Sequence, residues 1–176
     1  MQPVGEYATS AMGRERIFQY FSGERAIPTS ILRLNYATEM RYGVLVDVAR
    51  QVFEGRPVNL SMGSLNAIWQ GDANAMSLLA LEEARTPAWT INIAGPEQIS
   101  VRRVAETFGR IMEKAVIYQG EEAPDALLSN GQKGHALWGY PTVSLERMLH
   151  WISDWVSGGG ASLNKPTHFE NRAGNF

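Results

Sequence analysis

The chain has 176 residues, a formal net charge of -2 and 44% hydrophobic residues, a composition typical of one globular domain with a sizeable core. It carries no basic cluster, which argues against a nucleic-acid partner, and no window approaches the roughly 18 apolar residues of a membrane span. The absence of cysteine removes disulfides, thiolate metal sites and thiol nucleophiles. The first residues lack the features of a signal peptide, so we expect a cytoplasmic protein.

Helical and extended patterns alternate along the chain, and this order favours an α/β fold. Apolar residues recurring with a helical period predict helices at 7–21, 43–54, 72–84, 100–113 and 144–156, and a further helix is expected over 125–137. Runs of β-branched and aromatic residues predict parallel strands near 30–36 and 89–94 and a short strand at 115–118.

Capping residues mark several of these boundaries. Asp72, Ser100 and Ser144 each stand where a helix N-cap is expected. Gly55 ends the helix before it, because glycine accepts the left-handed conformation of a helix C-terminus. The run Gly158-Gly-Gly160 begins a polar tail that we expect to fray.

The first helix and strand carry a recognisable motif. The helix contains Tyr7-Ala-Thr-Ser-Ala11, and the strand contains Arg33-Leu-Asn35-Tyr36. This order resembles the middle of the NAD(P)-dependent epimerase/dehydratase family, the extended short-chain dehydrogenases/reductases. Members carry a catalytic tyrosine in a Tyr-x-x-Ser-Lys-x-x-x-Glu helix, followed by an Arg-Leu-x-Asn strand. The resemblance makes Tyr7 the catalytic tyrosine and places Ala11 where the family has lysine.

The resemblance continues over nearly the whole chain, as far as about Val156. The segment from Trp89 to Gly95, with the helix after it, is similar to a late strand, turn and helix of the family. Gly139-Tyr-Pro141 followed by Ser-Leu and a closing Trp155 is similar to its terminal segment. The resemblance implies the C-terminal part of a Rossmann-like extended short-chain dehydrogenase/reductase fold, with few parallel strands flanked by helices.

Three portions follow from this assignment. Residues 1–37 would hold the tyrosine helix and a strand of a remnant Rossmann-like part. Residues 38–156 would form the substrate-binding α/β portion with one further sheet strand, and residues 157–176 the polar tail.

The resemblance also implies site residues. Asn35 and Tyr36 would line the nicotinamide end of a bound NAD or NADP, and Arg41 and Tyr42 would face a small-molecule substrate. Each position has a plainer alternative: Asn35 is common in strand-end turns, Arg41 could be an ordinary exposed arginine, and Tyr7 could be a packing residue. The three histidines lack metal-ligand spacing, so no metal site is predicted.

Two departures from the family bear on catalysis. Ala11 supplies no charge to lower the pKa of Tyr7 from about 10. Six residues precede Tyr7, fewer than the roughly 30 of one βαβ unit with its glycine-rich dinucleotide turn. We therefore expect that the chain alone neither binds NAD(P) tightly nor turns over a substrate. No arginine stands at Leu65-Asn66, near which the family often binds a nucleotide-sugar diphosphate.

Three functional hypotheses remain open. The chain could be a truncated epimerase/dehydratase-like oxidoreductase, inactive alone, a non-catalytic module that binds on the substrate side, or an interaction subunit. The tyrosine helix carries Ile17, Phe18 and Phe21 on one face. A bare apolar face of this size favours association, so we expect a homodimer or aggregation.

Overall fold

The computed structural model describes residues 3–172 and Gly174, which form six helices and eight short strands. The helices are α1 (Gly5–Arg25), α2 (Val44–Phe53), α3 (Gln70–Leu79), α4 (Val101–Met112), α5 (Gln132–Trp138) and α6 (Leu145–Ser157). The strands are β1 (Ser30–Leu34), β2 (Ala37–Thr38), β3 (Val58–Asn59), β4 (Ser64–Leu65), β5 (Ile68–Trp69), β6 (Trp89–Ile93), β7 (Ile99–Ser100) and β8 (Tyr118–Gln119).

The longest strands, β1 and β6, pair in parallel from Ser30 beside Trp89 to Leu34 beside Ile93. The pairs β2–β5 and β3–β8 are also parallel, whereas β4 and β7 are antiparallel. Trp89, Ile91 and Ile93 are buried and alternate with half-buried residues, as the two-residue period of a strand requires. The predicted α/β class and the two predicted parallel strands are confirmed.

The main core lies where α2, α4 and α6 pack together. Six of the ten residues of α2 are buried, and Phe108 of α4 and Ile152 of α6 are fully enclosed. Two smaller apolar clusters pack against β1 and β6 and include Met76 and Trp89. Side chains of β1 and β6 are part of these clusters, so the strand pair is packed against them.

Helix α1 is longer than the predicted 7–21, and its apolar residues face outwards. Its inward stripe consists of small or polar residues, and Ser22 is its only buried residue in the described part of the chain. Ile17, Phe18 and Phe21 are 59%, 55% and 46% exposed, which confirms that this face is bare. No helix in the described ranges, α1 included, is long and apolar enough to cross a bilayer.

Two of the three predicted caps are confirmed. The hydroxyls of Ser100 and Ser144 each accept a hydrogen bond, at 3.3 Å, from the backbone N–H three residues on. The Asp72 prediction is wrong, because α3 begins two residues earlier, at Gln70. Helix α3 also ends at Leu79, before the predicted residue 84.

Two other elements have boundaries that differ from those predicted. The strand expected at 115–118 pairs with β3 only from Tyr118 onwards, and the helix expected over 125–137 begins only at Gln132, as α5. The expectation of a frayed tail is also wrong: residues 160–172 fold back over the domain, and Phe169 is only 2% exposed.

Candidate functional site

The carboxyl ends of β1 and β6 meet at one edge of the molecule. The backbone N–H of Asn35, the residue after β1, donates to the carbonyl of Ile93 at 2.9 Å, so the two chains remain paired as they leave the strands. In α/β folds this edge is where ligands bind, since the connections beyond parallel strands diverge there. The site is therefore built from residues that follow β1 and β6 and from the segments that pack on them.

Asn66 is the residue that ties this edge together. It is 6% exposed, and its side chain makes four hydrogen bonds. Its Oδ1 accepts from Nδ2 of Asn35 at 3.4 Å and from the backbone N–H of Ser129 at 2.8 Å. Its Nδ2 donates to the carbonyls of Gly95 at 3.4 Å and Glu97 at 2.9 Å.

Asn66 thus uses its whole amide to hold the ends of β1 and β6 and the loop before α5 in one arrangement. From the resemblance, this position was notable only for the absence of an arginine. A signal was nevertheless present, because Asn66 is a polar residue inside the apolar run Leu65 to Trp69. Such a residue needs buried partners, and its partners come from distant segments.

Gly95 lets two backbones approach closely beside Asn66. A Cβ atom at this position would lie 1.9 Å from the carbonyl oxygen of Ala67, a distance no side chain can occupy. Glycine is therefore required at the turn that follows β6.

A buried histidine contacts the residue that follows β6. His135 of α5 is 6% exposed, and its Nε2 lies 3.0 Å from the carbonyl oxygen of Ala94. A carbonyl only accepts, so Nε2 carries the proton in this contact. The ring stacks on Tyr140 with centroids 4.9 Å apart. Within the described residues no group of three or more His, Asp or Glu could hold a metal ion.

The carboxylate of Asp72 is buried, at 8% exposure, and serves neither as a cap nor as an open acid. Its Oδ1 accepts from the backbone N–H of Thr142 at 3.1 Å and from the Thr142 hydroxyl at 2.7 Å. Its Oδ2 accepts from the N–H of Val143 at 3.1 Å. Asp72 therefore fastens α3 to the loop that leads into α6.

Tyr36 follows Asn35 in a left-handed conformation, with φ at 40°, and its carbonyl accepts from the N–H of Ile68 at 3.2 Å. Its ring is half-buried against the main core. Burial raises the pKa of the Tyr36 hydroxyl above its usual 10, and the charge of Glu170 raises it further. The hydroxyl therefore stays protonated at neutral pH and can donate a hydrogen bond.

Arg41 and Tyr42 lie in a tight turn between β2 and α2. The N–H of Glu39 donates to the carbonyl of Tyr42 at 3.0 Å and closes the turn. The Arg41 Nε donates to both carboxylate oxygens of Glu39, at 3.1 and 3.2 Å, and its side chain is 53% exposed. Arg41 follows Tyr36 by five residues in the sequence, and its guanidinium is open to solvent.

Tyr7 lies in the first turn of α1 and is 66% exposed. Four residues join α1 to β1, and Glu15 pairs with Arg33, so the helix runs opposite to the strand. The start of α1 therefore points towards the carboxyl end of β1, the side on which Asn35 lies. One turn beyond Tyr7 the helix presents half-buried Ala11, which supplies no charge.

Within residues 3–172 no strand is joined to a helix by the kind of turn that holds a dinucleotide pyrophosphate. Such a group needs a glycine-rich turn between a strand and a helix. Two described helices follow a strand directly. Helix α3 begins after Trp69, and α4 begins after Ser100, whose hydroxyl already accepts the N–H of Arg103. In both places the strand runs straight into the helix, with no glycine-rich turn between them.

No protein-family model and no curated protein matches this sequence. Several solved structures, however, are similar to this chain. The chain is similar to UDP-glucuronic acid 4-epimerase from Bacillus cereus, in complex with UDP-glucuronic acid and NAD, at a TM-score of 0.75 and 22% identity, covering 89% of this chain and 54% of that one. It is similar to the Thermus thermophilus UDP-glucose 4-epimerase, in complex with NAD, at a TM-score of 0.73 and 21% identity, covering 89% of this chain and 55% of that one.

A third similar structure is the Thermotoga maritima UDP-glucose 4-epimerase with UDP-glucose, at a TM-score of 0.71 and 20% identity, covering 87% of this chain and 53% of that one. These likenesses establish the fold: an α/β arrangement shared with part of Rossmann-like epimerase structures. The chain spans about half the length of the structures it matches.

Proposed function

We propose that this chain is the substrate-side portion of an NAD-dependent epimerase/dehydratase-like oxidoreductase and takes a nucleotide sugar or a related small molecule. The observation that carries the proposal is the carboxyl edge of β1 and β6, where Asn66 holds Asn35, Gly95 and Ser129 together. The solved epimerases that share the fold bind UDP-sugars and NAD, which supports this class of ligand.

In this proposal each candidate side chain has a separate task. Arg41 is the exposed cation that would meet an anionic part of the substrate, and Tyr42 lies beside it in the same turn. Asn35 and Tyr36 would contact the cofactor's nicotinamide end, Tyr36 as a hydrogen-bond donor. Tyr7 would act as acid or base.

We propose that the 176 residues alone are inactive. They provide no pyrophosphate turn, and Ala11 provides no cation for Tyr7. Calorimetric titration with NAD and NADP tests this directly. We expect dissociation constants above about 10 μM, corresponding to binding weaker than roughly -7 kcal/mol. Tighter binding of either dinucleotide would overturn the claim of inactivity and leave the substrate assignment standing.

The substrate assignment is tested with UDP-glucose and a matched pair of arginine variants. Arg41 and Arg56 are 53% and 54% exposed, and each pairs with the glutamate two residues before it. We expect UDP-glucose to bind the wild-type chain at about 1 mM, or roughly -4 kcal/mol, by NMR titration. Arg41→Ala should weaken this binding about tenfold, equivalent to about 1.4 kcal/mol, while Arg56→Ala leaves it unchanged. Equal effects of the two variants, or no binding at all, would contradict the proposal.

A second candidate function rests on the bare face of α1. Ile17, Phe18, Tyr20 and Phe21 are all exposed and adjoin one another on the helix surface. Apolar patches of this kind are typical of protein interfaces. The chain would then be an interaction subunit or a homodimer, and a binding module if the carboxyl edge also takes a ligand.

A further inference from the structure

The last part of the chain, residues 160–172, crosses the domain without forming a helix or strand. We call it the C-terminal strap. The N–H and hydroxyl of Thr167 donate to Oδ2 of Asp47 on α2, at 2.8 and 2.6 Å. Phe169 inserts into the main core. Among the described residues of the strap it is the one deeply buried apolar side chain.

The strap lies against the candidate site. The N–H of Leu163 donates to the carbonyl of Arg41 at 3.2 Å, so the strap holds the turn that presents this arginine. Phe169 enters the same apolar core against which Tyr36 packs. The next residue, Glu170, is close enough for its charge to add to the effect of burial on the pKa of Tyr36.

The end of the strap contacts the loop before α5. Arg172 pairs with the carboxylate of Asp125 and donates to the Asp125 carbonyl at 3.0 Å. Asp125 belongs to the loop before α5, which also supplies the N–H of Ser129 to Asn66. Beyond the strap, Gly174 lies against Gly5, two residues before Tyr7.

The seal between the strap and α2 is imperfect. Beside the Thr167–Asp47 hydrogen bonds lies a pocket of about 100 Å³ that is lined by residues of both segments. In the described chain, Nε of Arg50 and Oε1 of Gln51 are buried without a hydrogen-bond partner. Unpaired buried polar atoms favour the open state, in which water can reach them. The conformational entropy of an extended coil favours release as well.

We propose that the C-terminal strap is a displaceable cover beside the carboxyl end of β1, and that its release uncovers Tyr36 for the ligand and frees the turn that carries Arg41. Its ligand, though not its movement, rests on the proposed function. The strap contacts the turn of Arg41 and the loop before α5, has one deeply buried apolar side chain among its described residues, and lies beside buried polar atoms without hydrogen-bond partners. These features distinguish a cover from a permanent part of the core.

Hydrogen exchange measured by mass spectrometry on the full chain tests the proposal. We expect Phe169→Ala to raise exchange at least about fivefold over residues 160–172 and 35–42, while α2, α4 and α6 keep their protection. Thr167→Val, which keeps the side-chain volume and removes the hydroxyl contact to Asp47, should give the same pattern at smaller amplitude. Phe53→Ala is the matched control: it deletes a half-buried phenylalanine at the end of α2 and should not release the strap selectively.

Two results would overturn the proposal. One is loss of protection throughout the core helices in both strap variants, because the strap would then be an integral part of the core. The other is unchanged exchange over residues 35–42 when the strap itself is released. The ligand is tested separately: UDP-glucose should bind Phe169→Ala at least about threefold more tightly than wild type. If UDP-glucose binds neither chain, the proposed function fails, and the exchange data still decide whether the strap opens.

Discussion

Glu15 of α1 accepts two hydrogen bonds from the guanidinium of Arg33 on β1, one of them from Nε at 2.9 Å. This fork joins the first helix to the first strand. The Arg33 hydrogen bonds hold the pKa of the Glu15 carboxyl below its usual value. The ion pair marks the side of α1 that faces the strand, and Ile17, two residues after Glu15 and about 200° around the helix, faces away from it.

The bare side of α1 should drive association. We expect the wild-type chain to dimerise or aggregate at micromolar concentration, and the double variant Ile17→Ser, Phe18→Ser to sediment as a monomer. Burying two such side chains is worth about 3 to 6 kcal/mol before the costs of association. The matched control is Leu78→Ser with Leu81→Ser, two exposed leucines at the end of α3. A wild-type chain that sediments cleanly as a monomer would refute this prediction.

Asn66→Ala should lower the free energy of unfolding by about 2 to 3 kcal/mol, because four partners in three segments lose their hydrogen bonds to the buried Asn66 amide at once. Urea denaturation measures this loss. Asn92→Ala serves as control, since Asn92 makes one exposed hydrogen bond, to the carbonyl of Asn130, and should cost about 0.5 kcal/mol. Similar losses in the two variants would show that Asn66 does not organise the edge.

Asp72 should tolerate asparagine better than alanine. Asp72→Ala leaves three donors of residues 142 and 143 unpaired and should cost about 2 to 3 kcal/mol. Asp72→Asn keeps one acceptor oxygen for Thr142 and should cost about 1 kcal/mol. Chemical denaturation of both variants decides the matter. An equal cost would mean that charge, and not the acceptor geometry, matters at this position.

Asp47 should give the chain a measurable pH dependence. Burial raises the pKa of Asp47 above its ordinary 3.8, even though the hydrogen bonds from Thr167 act the other way. The folded chain therefore keeps this proton to a higher pH than the unfolded chain does. The resulting contribution to stability is complete below pH 3.8 and is lost as pH rises through the folded pKa.

The measurement is the difference in unfolding free energy between wild type and Asp47→Asn from about pH 3.5 to about pH 7. We expect this difference to move against wild type as pH rises. Asp154→Asn, on the exposed side of α6, is the matched control. A slope of the opposite sign would show that the Thr167 hydrogen bonds outweigh burial.

The sequence predicted those features of the helices and strands that depend on residues close together in the chain. The Ser100 and Ser144 caps are contacts three residues apart, and the alternation in β6 follows from one buried face. The cap predicted at Asp72 failed because its partners, Thr142 and Val143, lie 70 and 71 residues away and can be reached only after the chain has folded.

The sequence by itself determined the α/β class, the two parallel strands β1 and β6 and the bare face of Ile17, Phe18 and Phe21, because periodicity and composition carry that information. Tertiary structure alone decided that Asn66 links the strand ends, that Glu15 pairs with Arg33, and that Phe169 of the polar tail packs into the main core. Each of these is a contact between segments far apart in sequence. Such contacts form only when burial has offset the entropy of bringing those segments together, and no local pattern records them.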